Sequence, residues 1–185
     1  MFERFAPESR EAVARAVEAA RRAGAERVDP EHLLLALAGC AVAHAADGHR
    51  APESAGRPVA EPPRQLGAVG RALGEAGIDA AGIEEAIERA FVAALEVVGV
   101  PASVVASAPI RPGADDPRFG DATKQALAHA LVHAQRRGAR RLGTAHLLLG
   151  LLDPPAAGVA RVLERLDVPP RRLAALVQVE LASER

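Results

Sequence analysis

Apolar positions recur along the chain at helical spacing. Between residues 7 and 23, Ala12, Val13, Ala16, Val17 and Ala20 fall on one stripe. Between 121 and 137 the stripe returns, with Leu127, Ala130 and Leu131 at matching places. These stretches predict helices over Pro7–Ala23 and Asp121–Arg137, with Gly24 and Gly138 where a C-terminal glycine cap belongs. A second helix in each half starts at 29-DPEH-32 and at 144-TAH-146. There Asp29 and Thr144 are expected N-caps, and Pro30 suits the first helical position. Third helices are predicted over about 65–76 and 156–166. Fourth ones start near Ile78–Ala81 and Val168–Pro170, since the Pro169-Pro170 pair fits a helix start better than an interior.

The pattern is one unit written twice. Phe5 aligns with Phe119, Val13 with Leu127, Arg22 with Arg136, Gly24 with Gly138 and Val28 with Leu142. The strongest match pairs 31-EHLLLAL-37 with 145-AHLLLGL-151, and all these pairs are 114 residues apart. Further on the offset falls to 90, pairing Leu73 with Leu163, Ile78 with Val168 and Ile83 with Leu173. The first copy therefore carries 24 extra residues between its second and third helices, an insertion placed at about 41–64. Its Pro- and Gly-rich part, 47–64, reads as a mobile surface insertion. The expected organisation is a first repeat over 1–98, a linker over 99–118 and a second repeat over 119–185. The fold class is all-α: eight helices as two pseudo-symmetric four-helix repeats. Neither half has much core alone, so the two should pack as one domain.

Composition sharpens this. Of 185 residues, 43 are Ala, and the aromatics are only Phe2, Phe5, Phe91 and Phe119, which favours close-set helices over a β-sandwich. Lys plus Arg number 23 against 24 Asp plus Glu, so the chain lacks the basic excess of a dedicated nucleic-acid binder. The single Cys40 excludes an intrachain disulfide and a multi-Cys metal site. No apolar run reaches the roughly 18 residues of a membrane span, and MFERFAPESREA is no signal peptide, so no membrane partner and a cytoplasmic location are expected.

MFERF at the start, a G-x-x-x-[VL]-x-x-[EA]-H-L-L-L-x-L block in each half and the second F-x-x-x-x-x-x-A-L opening carry a resemblance. Together they resemble the Clp N-terminal repeat domain, in particular that of the ClpC unfoldase of Gram-positive bacteria. The resemblance implies eight helices in two tandem repeats. It also implies a role in binding adaptors, substrates and peptide-like ligands, with no cofactor and no chemistry of its own. The ATPase modules that follow this domain in the family need a G-x-x-x-x-G-K-[ST] loop. The only Lys here is Lys124 in 120-GDATKQ-125, so a stand-alone N-domain without a motor is expected.

The resemblance also implies two kinds of site. Phosphorylated arginine is bound in such domains by the acid of T-E-H and a Thr after the anchoring Phe. The first copy keeps the acid as Glu31 but has Pro30 and Ala6 at the Thr positions. The second keeps Thr144 but has Ala145 for the acid and Gly120 after Phe119. The second kind is a groove for hydrophobic cyclic peptide antibiotics, and the positions resembling it are Phe2, Phe119, Lys124 and Leu127. Against these stand plainer readings: Glu31 as a helix-start acid, Phe119 and Leu127 as core, Lys124 as a solvated cation.

Outside the resemblance, His129 and His133 stand four apart on one predicted helix, too little for a metal site. His32 and His146 are expected to bond nearby backbone. Arg136, Arg137, Arg140 and Arg141 form a basic cluster, and a nucleic-acid-binding regulator using it is the rival from another class. No nucleophilic triad or paired carboxylate stands out, so no enzyme is expected. The reading is a peptide- or protein-binding module, acting as a decoy for Clp-targeting antibiotics or as an adaptor-like regulator of Clp proteolysis. Its partners would be hydrophobic cyclic peptides and Clp machinery, adaptors or substrates.

Overall fold

The computed structural model describes residues 4–47, 64–97 and 117–183. Phe2, most of the predicted insertion and most of the predicted linker lie outside them. Among the described residues there are eight helices and two two-residue strands. The first copy holds α1 (Pro7–Arg22), β1 (Arg27–Val28), α2 (Pro30–Asp47), α3 (Arg64–Glu75) and α4 (Ala80–Val97). The second holds β2 (Arg118–Phe119), α5 (Asp121–Arg136), α6 (Thr144–Leu152), α7 (Ala157–Arg165) and α8 (Pro170–Ser183). The architecture is all-α, as the periodicity predicts. One difference lies in α2, which runs 18 residues against nine in its counterpart α6, so residues 41–47 continue a helix.

The turns repeat as the sequence does. Gly24 and Gly138 both adopt φ +66°, and the following amides reach back to Ala20 O and Ala134 O at 2.9 Å. A left-handed residue there lets the chain satisfy the last helical carbonyls, and glycine takes that conformation without a Cβ penalty. The next turn is less uniform. Gly77 at φ +73° corresponds to Asp167 at φ +55°, one of the polar residues that tolerates this region.

The two copies are joined by exchanged backbone pairing. β1 and β2 run parallel, Arg27 opposite Arg118 and Val28 opposite Phe119. The reciprocal pairing joins Phe5 to Leu142, with Ala6 N donating to Leu142 O at 2.9 Å and Leu142 N to Arg4 O at 2.8 Å. Each copy thus lends the segment before its first helix to the segment before the other copy's second helix. This is a pseudo-two-fold arrangement. One core runs through both halves, with Leu33, Leu34, Leu37, Leu147, Leu148 and Leu151 all buried. The Ala-rich composition shows where α5 meets α6: a Cβ on Gly150 would come within 2.6 Å of Ala130 N. Only backbone-to-backbone contact fits there.

The second-helix starts correct one expectation. Thr144 is the first residue of α6 and not its cap. The N-cap is Gly143, and Thr144 is fully buried with its Oγ1 hydrogen-bonded to nothing among the described residues. Asp29 likewise donates its backbone N–H to His32 Nδ1 at 3.0 Å, while Gly143 N–H donates to His146 Nδ1 at 3.2 Å. The histidine three positions on closes each helix start, satisfying an amide that would otherwise be orphaned. Both rings are buried, and burial holds both below the ordinary imidazole value. For His146 the nearby Arg137 and His133 add to the effect, bringing it to about 4.

Candidate functional site

The described positions of the predicted groove occupy one short stretch at the junction of the copies. Phe119 is half-buried on β2, where its backbone pairs with Val28. Gly120 follows in extended conformation as the N-cap of α5, its N–H bonded to Val28 O at 3.1 Å. Thr123 Oγ1 ties the first turn down by donating to the same carbonyl at 2.7 Å. That bond turns Thr123 and Ala126 inward and leaves Lys124 exposed. Lys124 Nζ pairs with Asp121 Oδ1 at 2.9 Å, and this bond holds the Asp121 carboxyl below its usual range. Leu127, three residues on from Lys124, is half-buried against the core, as is Phe119. The first two turns of α5 thus combine two partly exposed apolar side chains with one cation. Phe5, the counterpart of Phe119, is buried. The repeat is symmetric in backbone and asymmetric in what it exposes.

The other predicted residues sit where one copy's second helix meets the other's third. Glu31, in the first turn of α2, lies over the start of α7, where a Cβ on Gly158 would collide with its carboxylate. Its Oε2 is shut off from solvent and accepts no hydrogen bond from a described residue. The helix N-terminus beneath it supplies partial positive charge, worth about 0.3–1 kcal/mol in exposed sites. A carboxylate so placed has unused capacity for a cationic donor.

At the counterpart junction the acid is replaced by buried Ala145, and the polar groups are Thr144 Oγ1 and Gln65 Oε1, both buried and unpaired among the described residues. Gln65 comes from the start of α3 and covers Gly143. Sequence reasoning missed Gln65, because only the fold brings α3 onto α6. The one signal in the sequence is the glycine at 143, where the first copy has Asp29.

His129 and His133 remain on α5. His133 Nε2 lies 3.7 Å from Asp153 Oδ2, and no group of three or more His, Cys, Asp or Glu residues suits a metal among the described residues. A separate concavity between α1, α2 and α4 is floored by Ala19, Leu35 and Ala36 and rimmed by Arg15, Arg22 and Glu84. It shares no residue with either predicted site. No helix of the described residues is long and apolar enough to cross a membrane.

Comparison with known proteins agrees with this architecture. The model of the Clp repeat (R) N-terminal domain matches residues 118–185, the second copy with its strand. Among curated proteins, none matches the chain in sequence. Among solved structures, the chain is similar to the N-terminal domain of the caseinolytic protease associated chaperone ClpD from Arabidopsis thaliana. There it is 20% identical, covers 98% of this chain and 99% of that one, and has a TM-score of 0.61. The Hsp104 N-terminal domain from Candida albicans is 15% identical, with 99% and 94% covered and a TM-score of 0.61. A chain from a malarial protein secretion system is 16% identical, with 96% and 94% covered and a TM-score of 0.59. Residues 118–185 thus match the Clp repeat N-terminal domain model, and the chain as a whole has the fold of the Clp and Hsp104 N-terminal domains.

Proposed function

We propose that the protein is a non-enzymatic module that binds peptides or proteins, with its apolar contact at the start of the second repeat. The observation that carries this reading is the trio of Phe119, Lys124 and Leu127. It places a half-buried aromatic, a cation and a half-buried aliphatic on β2 and the first two turns of α5. Aromatic side chains at the edge of a core are the usual bearers of binding energy, since they add contact area at little entropic cost. The ligand class that fits is a hydrophobic peptide, cyclic or held extended. Two roles suit such a module: a decoy that sequesters peptide antibiotics aimed at Clp machinery, or an adaptor-like regulator that engages Clp partners or substrates.

Phe2 belongs to the proposed groove through the resemblance, and it opens the segment before α1 as Phe119 opens that before α5. The test is Phe2→Ala, read by calorimetric titration with a hydrophobic cyclic peptide and by thermal melting. Affinity should weaken by about 1–3 kcal/mol, the range for a central aromatic contact, with the melting temperature unchanged. Unchanged affinity with a large fall in melting temperature would make Phe2 a core residue and remove it from the groove.

A second reading rests on Glu31. Its buried, unpaired Oε2 suits a guanidinium, so the first junction is the candidate for phosphoarginine, while Thr144 at the second lacks an acid beside it. Glu31→Gln should abolish binding of phosphoarginine and spare the cyclic peptide. Equal binding by wild type and variant would dismiss the site.

A further inference from the structure

The turn after α5 gathers positive charge that no acid among the described residues pairs. Arg136 ends the helix, Arg137 caps it, and Gly138 at φ +66° folds the chain back so that Arg140 and Arg141 follow within a few residues. The exchanged pairing brings in a fifth: Leu142 N donates to Arg4 O, setting Arg4 beside Arg141 in the parallel register. Four of these arginines are exposed and Arg137 is half-buried. Among the described residues none of the five is ion-paired. By contrast Arg15, Arg21, Arg71, Arg89 and Lys124 each hold an acid.

The repeat supplies an internal comparison. At the corresponding corner of the first copy, Arg22, Arg27 and Arg118 match Arg136, Arg141 and Arg4. There, however, Ala23 stands for Arg137 and Glu26 for Arg140, and Glu18 bonds Arg21 one turn earlier. The same backbone therefore carries a diluted, partly neutralised cluster in one copy and, in the other, five guanidiniums with no acid paired to them among the described residues. The dipole of α5 accounts for cations at Arg136 and Arg137, within the last turn. It does not account for Arg4, Arg140 and Arg141, exposed like charges that an acidic partner would neutralise.

We infer that this corner is a docking surface for an acidic polypeptide segment of a protein partner, separate from the Phe119 surface. Guanidiniums donate to carboxylates in bidentate geometry, and four of them at one tight turn with a fifth on the segment paired beside it suit a short run of Asp and Glu. A nucleic acid fits less well. The segment carries no aromatic on which bases could stack, and the charges do not extend along a stripe.

The test uses fluorescence anisotropy of the full chain with a labelled oligoglutamate of about ten residues and a labelled single-stranded oligonucleotide of similar length. Arg136→Glu/Arg141→Glu is compared with Arg22→Glu/Arg27→Glu, the same charge change at the equivalent corner, with melting curves for both. The expected result is salt-sensitive binding of the oligoglutamate that falls about tenfold in the first variant and less than twofold in the second. Oligonucleotide binding as tight as oligoglutamate binding would overturn the inference in favour of a nucleic acid. Equal losses in the two variants, or no binding of either probe by wild type, would overturn it altogether. Should the first variant melt early, Arg136→Gln/Arg140→Gln reads the same loss without charge reversal.

Discussion

His146 closes the start of α6 with an unprotonated Nδ1 that accepts the Gly143 N–H at 3.2 Å, and the ring is 1% exposed. A proton on that nitrogen would turn the acceptor into a donor facing a donor. Burial, then Arg137 and then His133 bring the folded-state pKa from 6.5 to about 4. Because the folded value is depressed, the ring contributes its full stability above pH 6.5. Below that the unfolded chain takes up a proton that the folded chain refuses, and the contribution is lost as the pH falls toward 4. At 1.36 kcal/mol per unit the loss is about 3 kcal/mol, a large part of the ~5–15 kcal/mol stability of an ordinary domain. His32 titrates in the same direction, with Glu31 and Asp29 opposing its burial.

The perturbation is His146→Asn, and the assay is urea unfolding from pH 7.5 to 4. At pH 7.5 the variant should be less stable, by about 1–3 kcal/mol for the lost cap and packing. The gap should then close as the pH falls, because only the wild type has this proton linkage. A gap that stays constant across the range would refute the reasoning, since acid loss would then come from groups other than this ring.

Two further outcomes follow from packing. Gly150→Ala pushes a methyl group into the backbone of α5 at Ala126 and Ala130, with no flexible side chain to yield, so urea unfolding should show a loss at or above the ~1–3 kcal/mol of ordinary overpacking. An unchanged midpoint would mean that α5 and α6 are not in the close contact described. Deleting 48–63, which has no counterpart in the second repeat, should preserve a single cooperative melt. Loss of cooperativity would show that the segment belongs to the core.

What was legible in the sequence was local or repeated. Helical stripes, the Gly24 and Gly138 caps and the Pro170 start are short-range signals, and the 114-residue offset doubled the first stripe and the glycine caps. The exchanged two-residue pairings were not legible, because Arg27-Val28 and Arg118-Phe119 are too short to show a period and pair only through the tertiary fold. Thr144 was misplaced by one position because Ser and Thr usually cap. Here the amide of a glycine and the ring of His146 perform that task, and the threonine is the first helical residue. The candidate site divides in the same way. Glu31 and Phe119 could be named from their motifs. Gln65, and the placement of Glu31 over α7, depend on contacts between elements distant in sequence, where pattern carries no information.

The measurement that bears most directly on the central claim is a backbone amide NMR titration of the full chain with a hydrophobic cyclic peptide. The account predicts saturable shifts centred on Phe119, Lys124 and Leu127, spreading across the paired Val28, with the Arg136–Arg141 turn unmoved. Shifts confined to the concavity between α1, α2 and α4, or no shifts at a large excess of peptide, would contradict it.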